Sequence, residues 1–163
     1  MATIEDVAAF MKEHELLLVT AESCTAGLIA ARLADVPGAG ALLDCAFVTY
    51  SPEAKQRCLA VNPATIERCN LTSEAVAREM AAGAVAQSRA NVAIANTGVA
   101  DATDDEIPPG TQCFAWAFEH AEGKVAMFSE TRRFEGDRNA IRAASADYAL
   151  QRIPHYYGRL AAR

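Results

Sequence analysis

The sequence predicts an α/β protein, a single layered α/β/α domain over residues 1–163 with a mixed, mainly parallel sheet and a C-terminal hairpin. Short apolar segments typical of buried strands alternate with helical segments through the first part of the chain. Two strand-like segments then follow each other directly, which is typical of an antiparallel pair. With 163 residues, 52% of them hydrophobic, the chain can bury one core without disulfides or a structural metal.

The first part of the chain is predicted to form a helix, a strand and a second helix. Apolar residues recur at helical spacing from Ile4 to Met11, which predicts a helix that ends near His14. The apolar run at residues 16–19 is short enough for a buried strand. Small and aliphatic residues at 25–33 then predict a helix that packs on the sheet.

The middle of the chain repeats this order. Residues 45–50 predict a second strand, and Ser51-Pro52-Glu53 predicts the start of a helix. Serine is a good N-cap, proline suits the first helical position, and an acid suits the first turn. Thr72 or Ser73 can cap a longer helix that runs to about residue 88. Its alanine-rich face permits close packing against another element or a second subunit, so a homo-oligomer is one expectation.

The last part of the chain supplies the remaining strands and a helix. Residues 91–96 predict a third strand. Aromatic residues alternate with smaller ones over 112–119, and a strand-like segment follows at 125–134, which together predict a hairpin. A final helix is expected after Gly136-Asp137-Arg138, with Pro154 interrupting it. These patterns do not predict the order of the strands in the sheet.

Composition excludes several classes of partner. A net charge of -6 and a pI near 5.1 disfavour a nucleic-acid or anionic-membrane surface, since either needs clustered basic residues. We therefore expect a protein that acts on a small molecule, without a metal or a cofactor. The sequence has no signal-peptide pattern and no apolar run near the roughly 20 residues needed to cross a bilayer, so we expect a cytoplasmic location. The cysteines are odd in number and lack zinc-site spacing, which predicts reduced, mostly buried thiols at Cys24, Cys45, Cys58, Cys69 and Cys113.

Ser23 is the candidate nucleophile. It lies where the first predicted strand ends and a helix begins, an edge at which open α/β sheets bind ligands. Free N–H groups at that point, around Cys24 and Thr25, can stabilise a developing oxyanion. One simpler interpretation is that Ser23 or Thr25 only caps the helix. Cys24 could instead be a thiol nucleophile, but a buried thiol is favoured because no histidine lies in a recognisable partner motif.

Lys55 is the candidate base. If Ser51 is the N-cap of its helix, Tyr50 and Lys55 occupy two positions whose side chains meet. The helix dipole and partial burial both favour a neutral lysine, which can take the serine proton in a Ser–Lys variant of the serine triad. Tyr50 would orient or relay that proton. The alternative is an exposed Lys55 beside a packed tyrosine.

Several ordered segments resemble one known family. Together they are similar to the C-terminal domain of the competence- and damage-inducible protein CinA, which also occurs alone as nicotinamide-nucleotide amidase. The resemblance runs from about Ile4 to Ile153. Its segments are Thr20-Ala21-Glu22-Ser23-Cys24-Thr25 with Gly27, Asp35-Val36-Pro37-Gly38, Phe47-Val48-Thr49-Tyr50-Ser51 with Glu53-Ala54-Lys55, Ser73-Glu74, and Gly136-Asp137-Arg138 with Arg142.

The resemblance implies hydrolysis of nicotinamide mononucleotide to nicotinic acid mononucleotide and ammonia. Ser23 would be the nucleophile, with Lys55 and Tyr50 activating it. Arg138 and Arg142 could supply a guanidinium to a phosphate or carboxylate, although helix capping by Asp137 with exposed arginines is the simpler alternative. The residues expected to bind substrate are Cys24, Thr25, Gly27, Thr97, Gly98, Arg138 and Arg142.

The segment at residues 101–106 departs most from the family. A glycine-rich loop is usual there, whereas this chain has four carboxylates at Asp101, Asp104, Asp105 and Glu106, which tend to repel phosphate unless a cation intervenes. A solvated loop is favoured over a metal site, because the spacing fits no calcium loop. Residues 69–72 also differ from the family, and Ala26 replaces a usual glycine.

These departures leave three functions open. The first is an amidase for nicotinamide mononucleotide, and the second is a Ser–Lys amidase for an amide that lacks phosphate. The third is a catalytically inactive paralogue that keeps the pocket for ligand sensing or protein association.

Overall fold

A computed structural model describes residues 2–103, 105–121 and 123–161. Five strands form one sheet in the order β2-β1-β3-β4-β5. The strands are β1 (Leu18–Glu22), β2 (Leu43–Val48), β3 (Val92–Gly98), β4 (Thr111–His120) and β5 (Lys124–Arg133). The helices are α1 (Ile4–Glu13), α2 (Leu28–Ala34), α3 (Pro52–Leu59), α4 (Pro63–Cys69), α5 (Glu74–Ala86), α6 (Arg138–Gln151) and α7 (Ile153–Leu160), with a short 3₁₀ turn at Ala39–Ala41.

The sheet is mixed, as the sequence predicts. β1 lies at its centre and pairs in parallel with both β2 and β3. β4 runs antiparallel to β3 and to β5, so β4 and β5 form the predicted hairpin. Because β1, β2 and β3 are parallel neighbours, their carboxyl ends meet at one edge of the sheet. This edge carries Ser23, Tyr50 and Gly98.

Helices cover both faces of the sheet, and side-chain size separates the two layers. Phe114, Trp116 and Phe118 point to the face covered by α1, α2, α6 and α7. Ala115 and Ala117 point to the opposite face, where α5 packs its own buried alanines against the sheet. The alanine-rich face of α5 is therefore used within the chain. No helix in the described ranges is both long enough and apolar enough to span a membrane.

The predicted interruption near Pro154 is confirmed, because α6 ends at Gln151 and a separate α7 begins at Ile153, with Pro154 in its first turn, where a missing N–H costs nothing. Two other element predictions need correction. Helix α4 was not predicted, although its Asn62 cap and Pro63 are an ordinary start signal. Helix α2 begins at Leu28 rather than at residue 25, because the segment between β1 and α2 forms a turn with left-handed backbone at Ala26 and Gly27.

Candidate active site

A cavity of about 260 Å³ lies at the sheet edge where β1 and β3 end. It holds the candidate nucleophile and base together, and its wall comes from five separate segments of the chain. The lining residues are Ser23, Cys24, Tyr50, Lys55, Asn70, Leu71, Thr72, Thr97, Gly98, Val99 and Thr103. A second cavity of about 380 Å³ lies at the opposite end of the sheet, near His14 and Tyr157, and its lining contains no serine, cysteine or lysine.

Ser23 and Lys55 are in direct contact. Lys55 Nζ lies 3.0 Å from Ser23 Oγ and 2.6 Å from the carbonyl oxygen of Thr49. The local sequence explains this position: Ser51 caps α3 through the N–H of Ala54, which places Lys55 on the first turn with its side chain turned inward. The lysine is 1% exposed, so the alternative of an exposed Lys55 is wrong.

Burial changes the acid–base properties of Lys55. Removal from water disfavours the ammonium form and lowers the pKa of Lys55 from 10.5 to about 8. Among the described residues no carboxylate forms an ion pair with Lys55, so no salt bridge opposes this effect. A neutral amine can donate one N–H to the Thr49 carbonyl and keep its lone pair for the proton of Ser23. This is the arrangement that a general base requires.

Glu22 holds the turn that follows Ser23. Its side chain is 0% exposed and accepts hydrogen bonds from the hydroxyls of Thr20 and Thr25. It also accepts from the backbone N–H groups of Gly27, Ile29 and Ala30. Glu22 therefore supplies the cap of α2 from outside the helix. The alternative in which Ser23 or Thr25 is the cap is wrong, and Ser23 is available for chemistry.

A hydrogen bond occupies one of the two expected oxyanion donors. The N–H groups of Gly27 and Ile29 bond to Glu22, and that of Thr25 donates to Asn96 Oδ1. The backbone N–H of Cys24 has no acceptor within the part of the chain that the structure describes. It lies next to Ser23 and belongs to a residue that lines the cavity. One of the two expected donors, Cys24, thus remains in place.

A buried amide pair supports this turn from β3 and β4. Asn96 accepts from the N–H of Thr25 and donates to Gln112 Oε1 at 2.9 Å. Gln112 Nε2 lies 3.4 Å from Cys24 Sγ, so the thiol packs against an amide and not against a base. Asn96 and Gln112 are both fully buried. Sequence reasoning missed both, although an asparagine and a glutamine within apolar strands are a signal for such a network.

Arg142 contributes to the site differently from what the sequence predicts. Its Nε donates to the carbonyl of Cys24 at 2.9 Å, and its Nη2 donates to the carbonyl of Thr25 at 3.3 Å. A planar guanidinium that spans two carbonyl oxygens holds the turn after Ser23 from α6. In this structure Arg142 therefore positions the turn through Nε and Nη2, and it is not among the described residues that line the cavity.

Arg138 lies at the rim of the cavity beside Tyr50. Its Nη2 donates to Tyr50 Oη at 3.1 Å, and its Nη1 lies 2.6 Å from Asp101 Oδ2. Tyr50 is 57% exposed, and no hydrogen bond joins it to Ser23 or Lys55 within the described ranges. Asp137 caps α6, as the sequence suggests. Asp104 of the acidic segment lies outside the described residues.

Most of the predicted site residues meet at this cavity. Ser23, Tyr50 and Lys55 line it together with Cys24, Thr97 and Gly98. Thr25 and Gly27 lie in the turn behind it, where their N–H groups bond to Asn96 and Glu22. The sequence did not assign Asn70, Leu71 and Thr72 to the site, although all three line the cavity.

The fold is shared with a known group of proteins. The chain belongs to the CinA C-terminal domain family, which matches residues 2–157. Nicotinamide-nucleotide amidohydrolase PncC of Escherichia coli strain K12 is 39% identical over 157 residues, covering 94% of this chain and 92% of that protein. A CinA-like protein of Chlorobaculum tepidum is 38% identical over 152 residues.

The relatives fall into two lengths. The chain spans 36% of the C. tepidum protein, about a third of it, but nearly all of PncC. Solved structures agree with the family assignment. The competence damage-inducible protein A of Klebsiella pneumoniae superposes with a TM-score of 0.86 at 32% identity, covering 96% of this chain and 98% of that one. Protein CihA of Agrobacterium tumefaciens gives 0.82 at 34% identity, covering 95% and 98%.

Proposed function

We propose that this chain, acting as one domain, hydrolyses the carboxamide of nicotinamide mononucleotide to nicotinic acid mononucleotide and ammonia. The observation that carries the proposal is the contact between Ser23 Oγ and the buried Nζ of Lys55 at the cavity. The relatives that match this chain over nearly their whole length are named nicotinamide-nucleotide amidohydrolases, which supports this substrate.

The chemistry follows from the two side chains. Ser23 Oγ attacks the carboxamide carbon while its proton passes to Lys55 Nζ. When the tetrahedral intermediate collapses, the C–N bond breaks, Lys55 returns the proton to the leaving nitrogen, and ammonia departs. A water molecule then attacks the acyl ester, with Lys55 taking its proton and returning it to Ser23 Oγ. The net change is one amide and one water converted to one acid and one ammonia.

Two neighbouring groups complete this proposal. The backbone N–H of Cys24 is the donor that we assign to the oxyanion, because it adjoins the nucleophile and has no acceptor in the described residues. Tyr50 acts on the other side of the cavity, where its exposed ring and hydroxyl face an entering substrate. We assign Tyr50 to substrate contact rather than to proton relay, because its hydroxyl bonds to Arg138.

Comparing two amides separates the three functions that the sequence leaves open. Purified protein should release ammonia from nicotinamide mononucleotide. Ammonia release only from the riboside would show that the protein is a Ser–Lys amidase for an amide that lacks phosphate. The assay should cover about four pH units, roughly pH 6–10, around the pKa of Lys55. If folded protein binds the mononucleotide but releases ammonia from neither amide in this range, the chain is a ligand-binding paralogue.

The pH profile of this reaction should report Lys55. The amine acts as a base only when neutral, so kcat/KM should rise about tenfold per pH unit below its pKa and level off above about 8. A lysine with the ordinary pKa of 10.5 would give a rise that continues beyond pH 10. The measurement is the initial rate of ammonia release at subsaturating substrate. A rate that falls between pH 7 and 9 would show that the reaction needs the charged lysine instead.

A further inference from the structure

An ion pair at the rim of the cavity joins the acidic segment to α6. Arg138 Nη1 lies 2.6 Å from Asp101 Oδ2, and Arg138 Nη2 donates to the hydroxyl of Tyr50. Tyr50 lines the cavity on one side, and Thr103, two residues beyond Asp101, lines it on another. The guanidinium of Arg138 is therefore held between two walls of the cavity mouth.

Arg138 is also the cation best placed to meet an anionic group of a substrate. Among the described residues that line the cavity, Lys55 is the one basic side chain, and it is buried against Ser23. Arg142 is occupied by the carbonyl oxygens of Cys24 and Thr25. A phosphate that reaches the cavity mouth while its amide lies at Ser23 would find the donors of Arg138, but Asp101 already holds one of its nitrogens.

We propose that Asp101 is an internal competitor for Arg138 that sets how well the site accepts a phosphate-bearing amide. The inference rests on the proposed function and deepens it, because it concerns the substrate class of the same site. A phosphate can form charge-assisted hydrogen bonds with a guanidinium, but it must first displace the Asp101 carboxylate. An amide without phosphate can bind while the ion pair between Asp101 and Arg138 stays intact.

The exposure of the pair makes this competition reversible. The side chains of Arg138 and Asp101 are 48% and 53% exposed, and exposed ion pairs are weak because water and salt screen them. Phosphate can therefore replace Asp101 at a modest cost in affinity. Asp101 then lowers the affinity of the site for phosphorylated amides relative to unphosphorylated ones, without preventing either from binding.

The test compares Asp101→Asn with wild type on nicotinamide mononucleotide and on the riboside. We expect KM for the mononucleotide to fall about two- to fivefold, with kcat unchanged and with both constants for the riboside unchanged. Asp105→Asn is the matched control, since it removes the same charge from the same segment. An equal KM decrease in Asp105→Asn would show that general repulsion acts, and not competition for Arg138, and would overturn the proposal.

A double-mutant cycle with Arg138→Gln isolates the pair. In that background Asp101→Asn should no longer change KM for the mononucleotide, because the guanidinium for which Asp101 and phosphate compete is absent. An undiminished effect of Asp101→Asn would overturn the proposal.

Binding separates failure of this inference from failure of the proposed function. Calorimetry of nicotinamide mononucleotide on Ser23→Ala, with and without Asp101→Asn, needs no turnover. Tighter binding in the double variant supports the competition even if wild type releases no ammonia. Equal affinity, or no binding to either protein, overturns the competition, while ammonia release by wild type would still uphold the amidase.

Discussion

Lys55→Met should lower kcat by about a thousandfold or more while the protein stays folded. A general base contributes roughly 10²- to 10⁴-fold, and here the same amine also returns the proton to the leaving group. Methionine has a similar length and no proton-accepting nitrogen. Burying an apolar chain instead of an amine at a position that is 1% exposed is favourable, but the Thr49 carbonyl loses its donor, so we expect the free energy of unfolding to change by less than about 2 kcal/mol.

Lys124→Met provides the matched control for this variant. Lys124 lies at the start of β5, is exposed, and is far along the chain from the cavity lining. Its replacement makes the same chemical change and should leave kcat and KM as in wild type. The measurements are ammonia release and urea unfolding followed by circular dichroism. If Lys55→Met kept more than a tenth of the wild-type rate, Lys55 would not be the base.

Of the substitutions proposed, Glu22→Gln should lower the free energy of unfolding the most. The carboxylate accepts five hydrogen bonds, three of them from backbone N–H groups at the start of α2. An amide presents one oxygen and an NH₂ group to these donors, so some buried N–H or hydroxyl groups lose their acceptor. We expect the free energy of unfolding to fall by about 3 kcal/mol. The rate should fall as well, because Ser23 adjoins this turn.

Glu53→Gln is the control for Glu22→Gln. Glu53 is exposed in the first turn of α3, so the same substitution should change the free energy of unfolding by less than about 0.5 kcal/mol. Urea unfolding of both variants measures the difference directly. Equal stabilities for Glu22→Gln and wild type would show that the turn after Ser23 is held without Glu22.

Local signals in the sequence are enough to predict much of this site. Ser51, Pro52 and Glu53 predict the start of α3, and the structure has that start with Lys55 on its first turn. The strand that ends before Ser23 is also predicted locally. What local signals cannot supply is the order of the strands, which brings the ends of β1 and β2 side by side in the sheet.

The residues that sequence reasoning missed act over long range. Glu22 is the last residue of the buried strand β1, and it caps α2 only because the next turn brings the start of α2 back to its carboxylate. Asn96 and Gln112 meet only because β3 and β4 pair. Arg142 was not missed, since the sequence predicts it as a substrate-binding residue, but its bonds to two carbonyl oxygens form only because α6 packs beside the Ser23 turn.

Ala26 illustrates a departure that the structure explains in part. The residue has a φ of 47°, in the left-handed region where glycine is favoured, and the resemblance leads us to expect glycine at this position. Alanine there costs about 1 kcal/mol, which the two hydrogen bonds from Thr25 and Gly27 of this turn to Glu22 can offset. The turn therefore keeps its shape around Ser23 without the glycine.

The most direct test of the central claim is ammonia release from nicotinamide mononucleotide by wild type beside Ser23→Ala, with circular dichroism on both proteins. We predict release by wild type above pH 8 and none above background by the folded variant. Release at the wild-type rate by Ser23→Ala would contradict the account, because the Oγ atom that Lys55 contacts would then have no part in the reaction.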